Sequence, residues 1–146
     1  MIPVFSGRVQ TRFFLLITVG LPWTLLIGWL LPRPAGVSVL QAYGVLLLSL
    51  LIVGVVGIAW DAVYIALQQY RWEKDWPTLF ALLTGIPECI TTYLVLRLLG
   101  FLFGFTVDTA AFLILFTTMW LLMWLVAVGP IKIFLPRWRY NGGRIT

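Results

Sequence analysis

Four long apolar segments follow one another along the chain, separated by short stretches that hold glycine, proline or charge. The segments cover about residues 13–32, 38–67, 77–99 and 109–129. A helix that crosses a bilayer needs about 20 mainly apolar residues, and each segment meets that length. The pattern therefore predicts an all-α integral membrane protein, a four-transmembrane-helix bundle that forms a single membrane domain over residues 1–146.

Local signals mark the expected ends of these helices. Ser38 with Gln41 three residues later has the spacing of a capping box that opens the second helix. Gly100 is expected to end the third helix, because glycine is the usual residue just past a helix end. Asp108 or Thr106 is expected to cap the fourth helix.

Three prolines affect the predicted helices in different ways. Pro22 lies near the middle of the first segment, where its missing N–H predicts a kink. Pro77 fits the first turn of the third helix, with Asp75 as its cap. Gly129-Pro130 is expected to end the fourth helix.

The second segment carries one stripe of small and then polar residues at three- and four-residue spacing. Its members are Gly54, Gly57, Asp61, Tyr64 and Gln68. Small residues let helices approach closely in lipid, so the stripe is predicted to face another helix, with packing at Gly54 and Gly57.

The third segment carries a second polar stripe at helical spacing, formed by Thr84, Glu88 and Thr91. Arg97 follows Glu88 by two and a half turns and therefore points to the opposite face of the same helix. We expect Arg97 to reach the outer headgroups or to pair with another helix.

Asp61 and Glu88 are the main functional candidates, because a carboxylate in hydrocarbon is costly unless it is paired, protonated or beside water. Measured from the turn between their helices, they lie roughly 15 and 20 Å along the two axes and can be neighbours. They then form a proton or cation site; alternatively, Asp61 sits at the headgroup boundary and Glu88 makes a helix contact. Since no charged residue lies three or four positions from Glu88, we expect Glu88 to be protonated at pH 7.

The composition supports the membrane interpretation: 62% of the 146 residues are hydrophobic and 10% are charged, whereas a soluble domain is about a quarter charged. Histidine is absent and Cys89 is the single cysteine. This excludes a disulfide within the chain and leaves no His/Cys cluster for zinc, haem or an iron–sulfur centre. We therefore predict no cofactor, no metal site and no catalytic residue.

The basic residues predict an orientation, because lysine and arginine are enriched in cytoplasmic loops. With the N-terminus inside, the outer side carries Arg33 and Arg97. The cytoplasmic side then carries the other eight of the 10 Lys and Arg residues: Arg8, Arg12, Arg71, Lys74, Lys132, Arg137, Arg139 and Arg144. Both termini are therefore expected in the cytoplasm, with the protein integral to the plasma or inner membrane.

The tail over residues 130–146 mixes basic and aromatic side chains. We expect Arg137, Trp138, Arg139 and Arg144 to anchor it on anionic headgroups at the cytoplasmic face, and we expect no nucleic-acid partner.

The tryptophans fit an aromatic belt more simply than a ligand cage. Trp60, Trp72 and Trp76 lie near predicted segment ends, where tryptophan is enriched at the membrane surface. Trp120 and Trp124 are expected to face lipid or a partner.

These features leave two main function classes open. The first is a non-enzymatic subunit or accessory and assembly factor of a larger membrane complex, with other membrane subunits or further copies of itself as partners. The alternative is a small oligomeric proton- or cation-coupled transporter or channel that uses Asp61 and Glu88. A lipid-active enzyme is the least favoured class, because no nucleophile–base pair is apparent.

Overall fold

The computed structural model describes residues 4–70, 78–134 and 144, and these contain helices and no strands. Four helical segments are long and apolar enough to cross a membrane, and they are called here the first to fourth long helices. Their bounds are Phe5–Ile27, Val39–Gln69, Leu79–Phe103 and Thr109–Phe134.

The first long helix contains a change of helix type. An α-helix over Phe5–Leu15 passes into a π-helical turn over Leu16–Gly20 and then into a second α-helix over Leu21–Ile27. Pro22 is the second residue after the π-helical turn, and it cannot donate the backbone hydrogen bond of a regular helix. A π-helical turn therefore precedes the position where the sequence predicted a kink.

The start of the first long helix differs from its prediction. The helix begins at Phe5 rather than at residue 13, so Arg8 and Arg12 belong to it. The apolar pattern left both arginines outside the first segment, residues 13–32, because charge usually marks the end of a span. Here carboxylates on other helices compensate the charge, which lets the helix include both residues.

The second long helix, Val39–Gln69, begins at the predicted capping box. The Gln41 N–H donates to Ser38 Oγ over 3.3 Å, and the Ser38 N–H donates to Gln41 Oε1 over 3.0 Å. With 31 residues, the helix is about 46 Å long, which exceeds a hydrocarbon core of about 30 Å.

The third long helix ends later than predicted. Two α-helices, Thr78–Leu83 and Gly85–Phe103, make up this span, and its C-cap is Gly104, with a φ of 74° that favours glycine. The prediction that Gly100 ends the helix was wrong. Gly100 lies inside the helix, where a Cβ would meet the Phe105 carbonyl oxygen at 2.8 Å. Gly100 is thus needed for a close approach of the following loop.

The fourth long helix begins at the predicted cap. The Ala111 N–H donates to Asp108 Oδ1 over 2.8 Å. Its main α-helix, Thr109–Val128, stops before Gly129 as predicted, and a short helix over Pro130–Phe134 follows. The predicted cap at Asp75 and the proline at position 77 lie outside the described residues.

The long helices alternate in direction, which gives the bundle two distinct ends. The N-terminal end holds the start of the first long helix, and the opposite end holds the connections over residues 28–38 and 104–108. Each long helix packs against the next one in the sequence, and the fourth packs against the first. The second and fourth long helices also approach each other. The centre is filled by Leu96, Leu115 and Met119.

Candidate functional site

Four charged side chains from three helices meet in the N-terminal half of the bundle, and they are called here the charge cluster. Arg8 and Arg12 lie four residues apart on the first long helix, a spacing that puts both on one face. Asp61 comes from the second long helix and Glu88 from the third.

Arg12 is the centre of the charge cluster, because its guanidinium binds both carboxylates. Nε and Nη2 donate to the two oxygens of Asp61 over 2.8 and 3.1 Å. Nη1 and Nη2 donate to the two oxygens of Glu88 over 2.6 and 2.9 Å. Bidentate arginine–carboxylate pairs are among the strongest hydrogen-bonded contacts in proteins.

Arg8 is the second cation that contacts Asp61. Its Nε donates to Asp61 Oδ1 over 3.0 Å, and its guanidinium carbon lies 5.4 Å from the centre of the Tyr64 ring, within the range of a cation–π contact. Tyr64 stacks on Trp60, with ring centroids 5.5 Å apart, and its hydroxyl donates to the Thr84 carbonyl over 3.2 Å. Arg8 is therefore positioned by an anion and by an aromatic face.

The charge cluster is formally neutral, and three of its four members are buried, whereas Arg8 is partly exposed. Arg12 is 8% exposed, Asp61 2% and Glu88 1%. Two cations and two anions cancel, which matters because a buried charge without a partner costs several kcal/mol. Removal of any one member would therefore leave an uncompensated charge in the cluster.

Gly57 makes room for Arg12 on the surface of the second long helix. A Cβ at Gly57 would overlap the Arg12 guanidinium. One turn away, a Cβ at Gly54 would make ordinary 3.5 Å contacts with Leu16 and Phe13. Both glycines therefore lie where the first and second helices meet, but only at Gly57 would a side chain collide with a neighbour, the guanidinium of Arg12.

Arg12 also connects two helices that are not neighbours in the backbone packing. The first and third long helices lie diagonally across the bundle. The Arg12 side chain spans that diagonal, passing Gly57 on its way to Glu88. A single residue thereby ties together the first three long helices.

Glu88 has no charged neighbour three or four positions away on its own helix, yet it has a charged partner on another helix. Its partner, Arg12, lies 76 positions away in sequence and on another helix, so the spacing within its own helix could not reveal the pair. Glu88 and Asp61 are nonetheless brought together, since both bind the same guanidinium. Thr91 donates to the Pro87 carbonyl over 2.8 Å and accepts the Trp60 indole N–H over 3.0 Å.

The remaining predicted site residues lie away from the charge cluster. Arg97 is exposed towards the opposite end. Arg144 is exposed at the N-terminal end, where its Nε donates to Ser6 Oγ over 3.0 Å. The other predicted anchors lie outside the described residues: Arg137, Trp138 and Arg139.

Tryptophans join helices in this bundle. Trp120, which was predicted to face lipid or a partner, is partly exposed, and it also contacts the third long helix: its ring lies over Gly85 and its indole N–H donates to the Leu82 carbonyl over 3.2 Å. Trp23 likewise donates to Thr118 over 2.9 Å. An indole N–H buried in a bundle finds its acceptor on a neighbouring helix. Two tryptophans predicted for the aromatic belt, at positions 72 and 76, lie outside the described residues.

The chemistry available in the cluster is ionic. Over residues 4–70 and 78–134, no three His, Cys, Asp or Glu side chains lie close enough together to share a metal ion. Asp61 and Glu88 are both acceptors of arginine N–H groups, so the arrangement fixes helices in place.

Sequence reasoning missed Arg12, although the sequence contains a signal for it. Arg8 and Arg12 are one helical turn apart, directly before an apolar run, and two isolated acids occur inside later apolar runs. Equal numbers of buried cations and anions are what a neutral cluster requires.

Comparison with known proteins gives no relative for this chain, since no family model, curated protein or solved structure matches it.

Proposed function

We propose that this chain is a non-enzymatic membrane subunit or accessory factor of a larger membrane assembly. Its charge cluster keeps the first three long helices in one fixed arrangement, as a scaffold for partner subunits requires. The observation that carries the proposal is the complete pairing of the two buried carboxylates with Arg8 and Arg12.

The same ion pairs support a transporter function less well than they support a structural subunit. All four carboxylate oxygens of Asp61 and Glu88 already accept an arginine N–H. A cation would have to displace a bidentate guanidinium, and a proton would have to break a charge-assisted pair. A proton- or cation-coupled transporter is the second candidate, because Asp61 and Glu88 share the single guanidinium of Arg12, and protonation of either would weaken its hold.

The assembly state and ion flux of the purified protein separate the two candidates. After gentle detergent extraction, native mass spectrometry is expected to find foreign subunits in fixed stoichiometry with this chain. In liposomes, we expect proton and cation flux no higher than in protein-free vesicles. A discrete homo-oligomer with flux that is lost in folded Glu88→Gln and Asp61→Asn variants would contradict the proposal and support transport.

We propose that the four long helices cross the plasma or inner membrane with both termini in the cytoplasm. The support is the distribution of Lys and Arg along the sequence, since eight of the 10 fall in segments that the four-span pattern assigns to one side. Reporter fusions at Gly36 and Gly104 are expected to be active outside, and a fusion after Thr146 is expected to be active inside. A reporter at Thr146 that is active outside would contradict this orientation and would place the charge cluster at the outer side of the membrane.

A further inference from the structure

The opposite end of the bundle contains an open cavity that the charge cluster does not use. Its volume is about 700 Å³, within the range of small-molecule sites. It lies between the end of the third long helix, the 104–108 connection and the start of the fourth long helix. Lining residues include Arg97, Gly100, Phe101, Phe105 and Asp108.

Arg97 gives this cavity a cation that no carboxylate of the described residues pairs with. In the described part of the chain, Arg97 makes no ion pair. Asp108 also lines the cavity, but one of its oxygens caps the fourth helix. Arg33 lines a smaller cavity that shares Pro34 and Asp108 with this one. Two arginines against one aspartate leave an excess positive charge, which suits an anionic ligand.

Besides the charged residues and two threonines, Thr106 and Thr109, the lining is mainly apolar. Phe101 is 86% exposed, and Phe105, Val107 and Ala110 continue the apolar wall. Exposed phenylalanine beside an unpaired guanidinium suits a ligand with an anionic head and a hydrocarbon body. The stretch from Arg97 to the helix end at Phe103 is about 9 Å long, so the long arginine side chain reaches towards headgroup depth.

We propose that this cavity binds a phospholipid from the leaflet at the opposite end of the bundle. The Arg97 guanidinium binds the phosphate, since its planar donors match phosphate oxygens, and the phenylalanine wall packs against an acyl chain. The inference rests on the proposed membrane location of the helices. It does not depend on the proposed partner subunits, because lipid binding is a property of the isolated chain.

Native mass spectrometry of the delipidated full chain in detergent tests this site. The probes are dioleoyl phosphatidylglycerol, dioleoylglycerol with the same acyl chains, and inorganic phosphate. We expect the wild type to retain one phosphatidylglycerol, and Arg97→Gln to bind it at least about tenfold more weakly. Lys132→Gln, which removes a cation at the N-terminal end, should bind like the wild type. Arg97→Lys should bind with intermediate affinity, because it keeps the charge and loses the planar donors.

Three outcomes would overturn the site. One is equal phosphatidylglycerol binding by the wild type and Arg97→Gln. The second is equal retention of dioleoylglycerol, which would show that acyl chains alone are recognised. The third is stoichiometric binding of inorganic phosphate without lipid, which would show a soluble anion site. Arg97 is exposed, so its variants are expected to fold, and a matching thermal midpoint checks this in each sample.

Discussion

Replacing Arg12 with methionine is expected to remove most of the folded protein. The change takes away both arginine contacts of Glu88 and leaves Asp61 with Arg8 alone. Breaking a buried ion pair from one side costs about 3–5 kcal/mol, and a typical domain is stable by only about 5–15 kcal/mol. The yield of monodisperse protein and its thermal midpoint in detergent measure the loss.

The matched control for this variant is Lys132→Met. It removes one positive charge at the same end of the bundle without touching Asp61 or Glu88. We expect its yield and thermal midpoint to stay close to those of the wild type. If Arg12→Met and Lys132→Met behave alike, the charge cluster does not hold the bundle together.

A methyl group at position 57 is expected to collide with the Arg12 guanidinium and to destabilise the protein. Gly57→Ala places a Cβ where the Arg12 side chain lies, so Arg12 must shift away from Glu88 or the helices must separate. Overpacking of this kind costs about 1–3 kcal/mol, and Gly57→Leu should cost more. The free energy of unfolding in detergent measures both variants.

Gly44 offers a control on the same helix. Nothing lies within 4 Å of a Cβ added at Gly44, and alanine favours a helix over glycine by about 1 kcal/mol. Gly44→Ala should therefore be neutral or slightly stabilising, opposite in sign to Gly57→Ala. Equal tolerance of alanine at both positions would contradict the path assigned to Arg12.

The number of helices and several of their ends could be predicted because they depend on neighbouring residues. Four apolar runs predicted four helices of spanning length. Ser38 caps the second long helix through Gln41, and Asp108 caps the fourth through Ala111. Each cap is a contact over three residues, which the sequence displays directly.

The end of the third helix shows where local reasoning fails. Gly100 and Gly104 are both reasonable stop signals in the sequence. Gly104 has the positive φ, whereas Gly100 is required because the Phe105 carbonyl packs against it. That choice depends on the path of the following loop, which the helix sequence does not contain.

The charge cluster could be predicted only in part. Asp61 and Glu88 were identified because isolated carboxylates in apolar segments are unusual. Their partner was missed because Arg12 precedes the first apolar run and looks like a boundary residue. Its contact with Glu88 joins positions 76 residues apart across the bundle diagonal, which helical spacing does not report.

A double-mutant cycle between Arg12 and Glu88 tests the central claim most directly. Arg12→Met leaves a carboxylate uncompensated and Glu88→Met leaves a guanidinium uncompensated, whereas the double variant keeps only the balanced Arg8–Asp61 pair. The free energy of unfolding in detergent is measured for all four proteins. We predict that the double variant is more stable than either single variant, with a coupling of about 2 kcal/mol or more. Additive losses, with the double variant the least stable of the four, would contradict the account.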